Sequence, residues 1–245
     1  MNRNLHQLVF SVLLLAVTAA CTHKPPASTA AAPTAFGAAI TEVSGGKQIA
    51  PSGALLDQPV VVQVNDAQGT AVSGAYVEFR GPVGVAFDPA AGLTDSSGQF
   101  TSKVSLGGAA GRYHFTAATR DKAGKNYELK LEAIALDYQQ GLGRQLSQQY
   151  CARCHDPEST PERVSNMDNL ATKPHAFSDG ETLNRISDAD LVSMISHGGA
   201  ALNKSAEMPP YGYTLSKGDI QSLVAYIRAI ADPPYPQKGL VYAKN

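Results

Sequence analysis

The chain has 245 residues, of which 43% are hydrophobic and 17% charged, with a formal net charge of −1 and no tryptophan. That length suits one large domain or two small ones, and size and composition together favour two. The near-neutral charge gives no global sign of nucleic-acid binding or of a polybasic membrane patch.

Leu8 to Ala20 is an apolar run behind a short segment carrying Arg3, and small residues stand directly before Cys21. Residues 1–20 therefore have the pattern of a secretory signal, too short to span a bilayer. Thr18-Ala19-Ala20-Cys21 resembles a bacterial lipobox, in which the cysteine thiol receives diacylglycerol and the signal is removed. Thr18 stands where leucine is commoner, and plain cleavage near Ala20 is the competing reading. Acyl chains contribute about 0.8 kcal/mol per buried methylene, so lipidated Cys21 is expected to anchor the protein permanently. Thr22 in place of aspartate after this cysteine resembles lipoproteins of the outer membrane of Gram-negative cells. The Ala-, Ser-, Thr- and Pro-rich remainder of residues 21–40 cannot bury enough surface to order itself, which makes it a flexible tether. A random coil of about seventeen residues reaches some 20 to 25 Å.

Residues 41–136 change to short strands. Segments 60–64, 75–80, 83–87, 98–106, 113–119 and 127–134 are separated by Gly, Pro, Asp and Ser clusters, which suggests an antiparallel sandwich. In Tyr76-Val77-Glu78-Phe79-Arg80 and Tyr113-His114-Phe115-Thr116 aromatics alternate with polar residues, as strands with one buried face require. Asp121-Lys122-Ala123-Gly124 is the turn of a hairpin. His114 is expected to be a structural or surface residue. The stretches Asp66-Ala67-Gln68-Gly69-Thr70-Ala71-Val72-Ser73-Gly74, Phe87-Asp88-Pro89 and Thr94-Asp95-Ser96-Ser97-Gly98-Gln99 resemble the bacterial immunoglobulin-like domains of invasins and intimins. Ala71 stands where that family usually has proline. The resemblance implies a spacer or adhesive unit. Lacking a cysteine pair and a core tryptophan, the domain is expected to be held by aliphatic packing alone.

Residues 137–232 change to helical spacing. Segment 141–150 forms a first helix leading into Cys151-Ala152-Arg153-Cys154-His155. C-x-x-C-H is the spacing that attaches a c-type haem, since two thiols on one helical turn can add to the two vinyl groups of one porphyrin and the adjacent histidine can ligate the iron. A zinc site needs about four ligands and the chain has no second cysteine pair. A redox C-x-x-C expects a βαβ context, which is not present. A middle helix begins at the capping box Ser187-Asp188-Ala189-Asp190 and ends at Gly198-Gly199. A last helix begins at the capping box Ser216-Lys217-Gly218-Asp219, carries Ile220, Leu223, Val224, Ile227 and Ile230 on one face, and stops at Asp232-Pro233-Pro234. Residues 233–245 are a Pro-rich tail.

These helices around the motif resemble the class I cytochrome c fold. In that family the first and last helices cross at a glycine and an aromatic residue, places matched by Gly143 and Tyr226. Ser147 departs from the usual Phe or Tyr four residues before the first cysteine. The resemblance implies one covalent haem c, with Cys151 and Cys154 as thioether donors and His155 as proximal ligand. The distal candidates are Met208, His197, His175, Met167 and Met194. Met208 is preferred, because Met208-Pro209-Pro210-Tyr211-Gly212 is a proline-stiffened loop before the last helix, where the family places its axial methionine. Met194 falls on the apolar stripe of the middle helix, and His197 near a helix end. The family also orients its haem histidine by a hydrogen bond to a proline carbonyl, for which Pro174 and Pro161 are candidates. Arg185 is either a propionate contact or an exposed ion-pair partner. Residues 172–179 with 184–187 further resemble periplasmic cytochrome modules, alone or attached to membrane oxidoreductases.

His/Met ligation closes both axial positions and raises the potential, which favours one-electron transfer over activation of oxygen or peroxide. The resulting expectation is an immunoglobulin-like sandwich followed by an all-α monohaem electron carrier. It is anchored extracytoplasmically by Cys21, exchanges electrons with protein donors and acceptors, and takes no nucleic acid. Two alternatives stand beside it: the haem subunit of a periplasmic dehydrogenase or peroxidase-like complex, and an adhesion or docking protein with a haem sensor.

Overall fold

The computed structural model describes residues 32–156 and 164–236. The expected signal peptide, Cys21, Pro161 and the end of the tail from residue 237 lie outside the described residues. No helix among those described is long and apolar enough to cross a membrane.

The strands are β1 (Ala39–Ser44), β2 (Gln48–Pro51), β3 (Val60–Asn65), β4 (Tyr76–Arg80), β5 (Ala86–Asp88), β6 (Ala91–Leu93), β7 (Gln99–Ser105), β8 (Gly111–Arg120) and β9 (Asn126–Leu136). They form two sheets, ordered β1-β3-β7-β5 and β2-β9-β8-β4-β6, with every pairing antiparallel except β2 on β9. Alternation sends Val60, Val62 and Val64 of β3, Val77 and Phe79 of β4, and Phe115 and Ala117 of β8 into the core. The aromatic of β4 that faces inward is therefore Phe79, while Tyr76 is half-buried.

The expectation of purely aliphatic packing fails. Phe79 stacks on Phe87 with centroids 5.4 Å apart and lies 6.1 Å from Phe100, and Phe87 lies 5.6 Å from Phe115. Four phenylalanines from four strands thus meet across the core, where each such pair adds about 0.5–1.5 kcal/mol beyond its buried area. The expected strand 83–87 starts only at Ala86, and Val83 is fully exposed in the preceding turn. β2 and β6 are too short for alternation to show, and β1, as long as β3, buries only Ile40 and so carries no alternation either. Three turns share one chemistry. Asp66, Asp95 and Asp121 each accept backbone N–H groups from residues two and four positions on, and Gly69, Gly98 and Gly124 supply the positive φ that follows.

β9 ends at Leu136 and the next residue, Asp137, caps α1 (Tyr138–Leu146) in a capping box with Gln140. The motif-bearing helix is not regular throughout. A π-turn over Ser147–Cys151 takes up an extra residue before α2 (Ala152–His155). After the short α3 (Gly180–Leu183) come α4 (Asp188–His197) and α5 (Lys217–Ile230). Ser216 and Asp219 form the expected reciprocal capping box on α5. On α4, Ser187 accepts the Asp190 N–H, but its hydroxyl turns to the Asp190 carboxylate at 2.8 Å and the box is only half made.

α1 and α5 cross where Gly143 meets Ser222 and Tyr226. A Cβ on Gly143 would lie 1.9 Å from the Ser222 carbonyl oxygen and 2.8 Å from the Tyr226 Cβ. The backbones approach this closely only because the position has no side chain. Beyond Tyr226 the helical region meets the sandwich. Ile134 and Leu136 of β9 are buried with Tyr226, and Ile49, Phe177, Ala229 and Ile230 pack on them. Two arginines cross the junction in opposite directions. Arg112 of β8 donates to the Ala231 carbonyl (3.0 Å) and Arg144 of α1 to the Ile49 carbonyl (2.7 Å).

Gly143→Val is expected to lower stability by about 1–3 kcal/mol, the usual cost of overpacking, read as a drop in the chemical denaturation midpoint of the helical signal. The Tyr226 phenol is held above its ordinary range by burial. Its contribution to stability is complete below the unfolded phenol range and is lost as pH rises through the folded value. Tyr226→Phe should therefore flatten the fall in melting temperature measured at alkaline pH.

Candidate haem site

Residues 151–155 continue from the π-turn, so the motif sits at the far end of the helix that Gly143 fixes against α5. Cys151 is buried and Cys154 half-buried, and both are free thiols. Burial, with a smaller push from Cys154, raises the Cys151 thiol to about 12, which leaves it protonated at neutral pH. Cys151 lies in an apolar cluster with Leu183, Leu191, Ile195, Leu215, Ile220, Leu223, Val224 and Ile227.

The His155 ring is fixed from two sides. Its Nδ1 lies 2.7 Å from the His175 carbonyl oxygen, and because a carbonyl only accepts, Nδ1 carries the proton. The lone pair is left on Nε2. Burial also lowers the imidazole below its ordinary value, which favours the neutral form that a metal ligand needs. Phe177 stacks on the ring at 4.7 Å and 29°. The carbonyl that orients His155 thus belongs neither to Pro174 nor, among the described residues, to any other proline. Pro174 holds the chain one residue earlier, and the next carbonyl, that of His175, meets the edge of the ring at Nδ1. The lysine-proline-histidine-alanine-phenylalanine stretch signalled this strap, but the roles of His175 and Phe177 were not legible in it.

Met208 packs against the same cluster as Cys151. Its loop is pinned on two sides. Gly199 donates to the Met208 carbonyl (3.0 Å), and Tyr211 and Gly212 donate to the Ile195 and Ser196 carbonyls (both 2.9 Å). Gly198 and Gly199 end α4, and they also allow this approach: a Cβ on Gly199 would lie 2.2 Å from the Ser205 oxygen and 3.3 Å from the Met208 Cβ. The Tyr211 hydroxyl donates to the Tyr150 carbonyl (2.9 Å), directly before Cys151. The loop bearing Met208 is therefore tied to the motif, a link with no signal in the sequence beyond two tyrosines.

The other candidates sit elsewhere. His197 is exposed, with Nδ1 3.1 Å from the Ser193 carbonyl of its own helix. His175 is exposed and pairs with Asp179 at 2.9 Å. Met194 is half-buried on α4, and Met167 lies in a 3₁₀ turn. Arg185 is exposed, as is His114, whose side chain is 71% accessible. No group of three or more His, Cys, Asp or Glu side chains comes together among the described residues. Two free thiols, a neutral imidazole with Nε2 available and an apolar surround fit a covalent haem.

Residues 139–227 match the family model described as cytochrome c oxidase, cbb3-type, subunit III. The helical region matches a cytochrome c domain. Such domains are the haem-bearing units of electron-transfer proteins. The cytochrome c domain here covers the crossing of α1 and α5, the motif and the Met208 loop. The N-terminal region has structural neighbours of another kind. The D00-D0 domain of intimin has 17% identity and a TM-score of 0.31, over 40% of this chain and 46% of that one. Invasin, described as a bacterial integrin-binding protein, has 18% identity and a TM-score of 0.29, over 39% of this chain and 19% of that one. The Yersinia pseudotuberculosis adhesin InvE has 14% identity and a TM-score of 0.30, over 40% and 32%. The chain spans just under half the length of the intimin structures, 46% and 47%. No curated protein matches the chain.

Proposed function

We propose that this protein is a membrane-anchored monohaem c-type cytochrome that passes single electrons between extracytoplasmic redox partners. The observation that carries the reading is the His155 ring, whose Nδ1–H is committed to the His175 carbonyl so that Nε2 is free to ligate, beside two free thiols. Haem c supplies a one-electron ferric/ferrous couple. Cys151 and Cys154 would hold it by thioether bonds and His155 would ligate the iron, its ring fixed and made more basic by the backbone bond. Met208, packed against the same apolar cluster as Cys151, would be the second protein ligand. With two protein ligands the chemistry such a site would supply is one-electron transfer. Cys21 carries the lipid and the sandwich holds the cytochrome c domain away from the membrane; the tether is shorter than residues 21–40, because Thr34, Ala35 and Ala38 already donate to the Gly74 and Asn65 carbonyls and β1 begins at Ala39.

The family description, a subunit of an oxidase, favours a second reading in which the same domain serves as the haem-bearing subunit of a membrane oxidoreductase complex. Solubilised membranes run on a native gel and stained for haem separate the two readings. A carrier migrates near the mass of the single chain, and a subunit migrates with its complex.

The oxidised protein should show the near-infrared band of methionine-to-ferric-iron ligation. Met208→Ala should abolish the band, lower the midpoint potential and open the iron to carbon monoxide, and a variant indistinguishable from wild type would place the ligand elsewhere. Cys21→Ser should move the protein from the membrane to the soluble fraction and end its labelling by radioactive palmitate.

A further inference from the structure

The segment that touches His155 is held by the sandwich as well as by the cytochrome c domain. Residues 175–180 form a strap whose first carbonyl accepts the His155 Nδ1–H and whose Phe177 ring stacks on the imidazole. The strap closes on itself through the Asp179 N–H and the Ala176 carbonyl (2.9 Å). Its far end is stitched to the residues after α5. Asp232 N–H donates to the Ser178 carbonyl (2.9 Å), and Gly180 N–H donates to the Asp232 carbonyl (3.0 Å). The contact is tight, since a Cβ on Gly180 would lie 2.2 Å from the Pro233 oxygen.

The residue before this stitch, Ala231, offers its carbonyl to Arg112 of β8. Arg112 is itself aimed by Glu132 of β9, 2.8 Å away, and only 13% of its side chain is accessible. Phe177 provides a second route, because it packs on the cluster of Ile134, Leu136 and Tyr226, and the first two belong to β9. A polar chain therefore runs from the sandwich to Ser178 and Gly180 of the strap, and an apolar contact runs to Phe177. The link between the domains is equally direct, with β9 ending at Leu136 and α1 capped by Asp137.

We infer that the sandwich is a positioning element for the proximal histidine, with Arg112 and Phe177 as the positioning residues. The inference rests on the reading of His155 as iron ligand. A hydrogen bond to the second imidazole nitrogen raises ligand basicity and favours the ferric state. Support from the strap keeps that bond short, so loosening the strap weakens it, lowers donation to the iron and raises the potential.

The test uses full-length, haem-loaded protein. Arg112→Gln and Phe177→Leu are expected to raise the midpoint potential, shifting the ferric/ferrous equilibrium about threefold to tenfold, or about 30 to 60 mV at 59 mV per tenfold. Both should also change the g values of the ferric low-spin signal and speed amide exchange at residues 179, 180 and 232. Arg112→Lys should recover part of the shift. Val62→Ala, in the sandwich core, serves as the structural control: it should lower the melting temperature and leave the potential and g values unchanged. Wild-type potential and g values in Arg112→Gln and Phe177→Leu, with melting lowered as in Val62→Ala, would overturn the proposal. A wild-type protein with no covalent haem would overturn the site reading and the proposal with it, and haem staining of a denaturing gel distinguishes that case at the outset.

Discussion

Everything in the helical region is arranged around one close approach, that of α1 to α5 at Gly143. With the Ser222 carbonyl 1.9 Å from where a Cβ would stand, the two backbones are in direct contact and neither helix can slide or rotate without a clash. Fixing that point fixes both ends of the crossing. The C-terminal end of α1 runs through the π-turn into Cys151, and Cys151 meets Leu223, Val224 and Ile227 of α5 in one cluster. An adjoining face of α5 presents Tyr226, Ala229 and Ile230 to the sandwich. One missing side chain thereby sets the place of the haem motif and of the domain junction together.

The junction follows from how little chain connects the domains. With Leu136 in the last strand and Asp137 already capping a helix, no residue is left to act as a hinge. The exposed end of a two-layer sandwich would otherwise leave Ile134 and Leu136 in water. Covering them with Tyr226 removes that apolar surface, and the two arginines satisfy carbonyls at the rim, one of them at the end of α5 where the helix leaves its last carbonyls unpaired. The result is a single compact unit in which the orientation of the haem motif relative to the sandwich is set by packing.

Much of this was legible locally. The Ser216 box and the span of α5, the Ser187 start and Gly198 end of α4, and the Gly143–Tyr226 crossing all follow from short-range rules or from the class I cytochrome c resemblance. The strand errors have a common cause. Ala86–Asp88 and Ala91–Leu93 are three residues each, too short for alternation to declare itself, and exist because a neighbouring strand offers them hydrogen bonds. The phenylalanine core was missed because Phe79, Phe87, Phe100 and Phe115 are spread over strands whose pairing is not sequential. Likewise the π-turn at Ser147 has no signature in propensity, since it serves the placement of Cys151 more than the helix.

By itself the sequence determined that two thiols and an imidazole at C-x-x-C-H spacing lie on one helical turn whatever surrounds them, which is the arrangement the proposed haem attachment needs. Turn chemistry, caps and binary patterns were determined in the same way, by atoms within four or five residues of each other. Only the tertiary structure decided which carbonyl meets His155, which methionine shares a cluster with Cys151, and which strand residues close over Tyr226. Those choices join residues 20, 57 and 92 positions apart along the chain. Their physical origin is the simultaneous packing of α1, α5 and β9, a constraint that no local stretch contains.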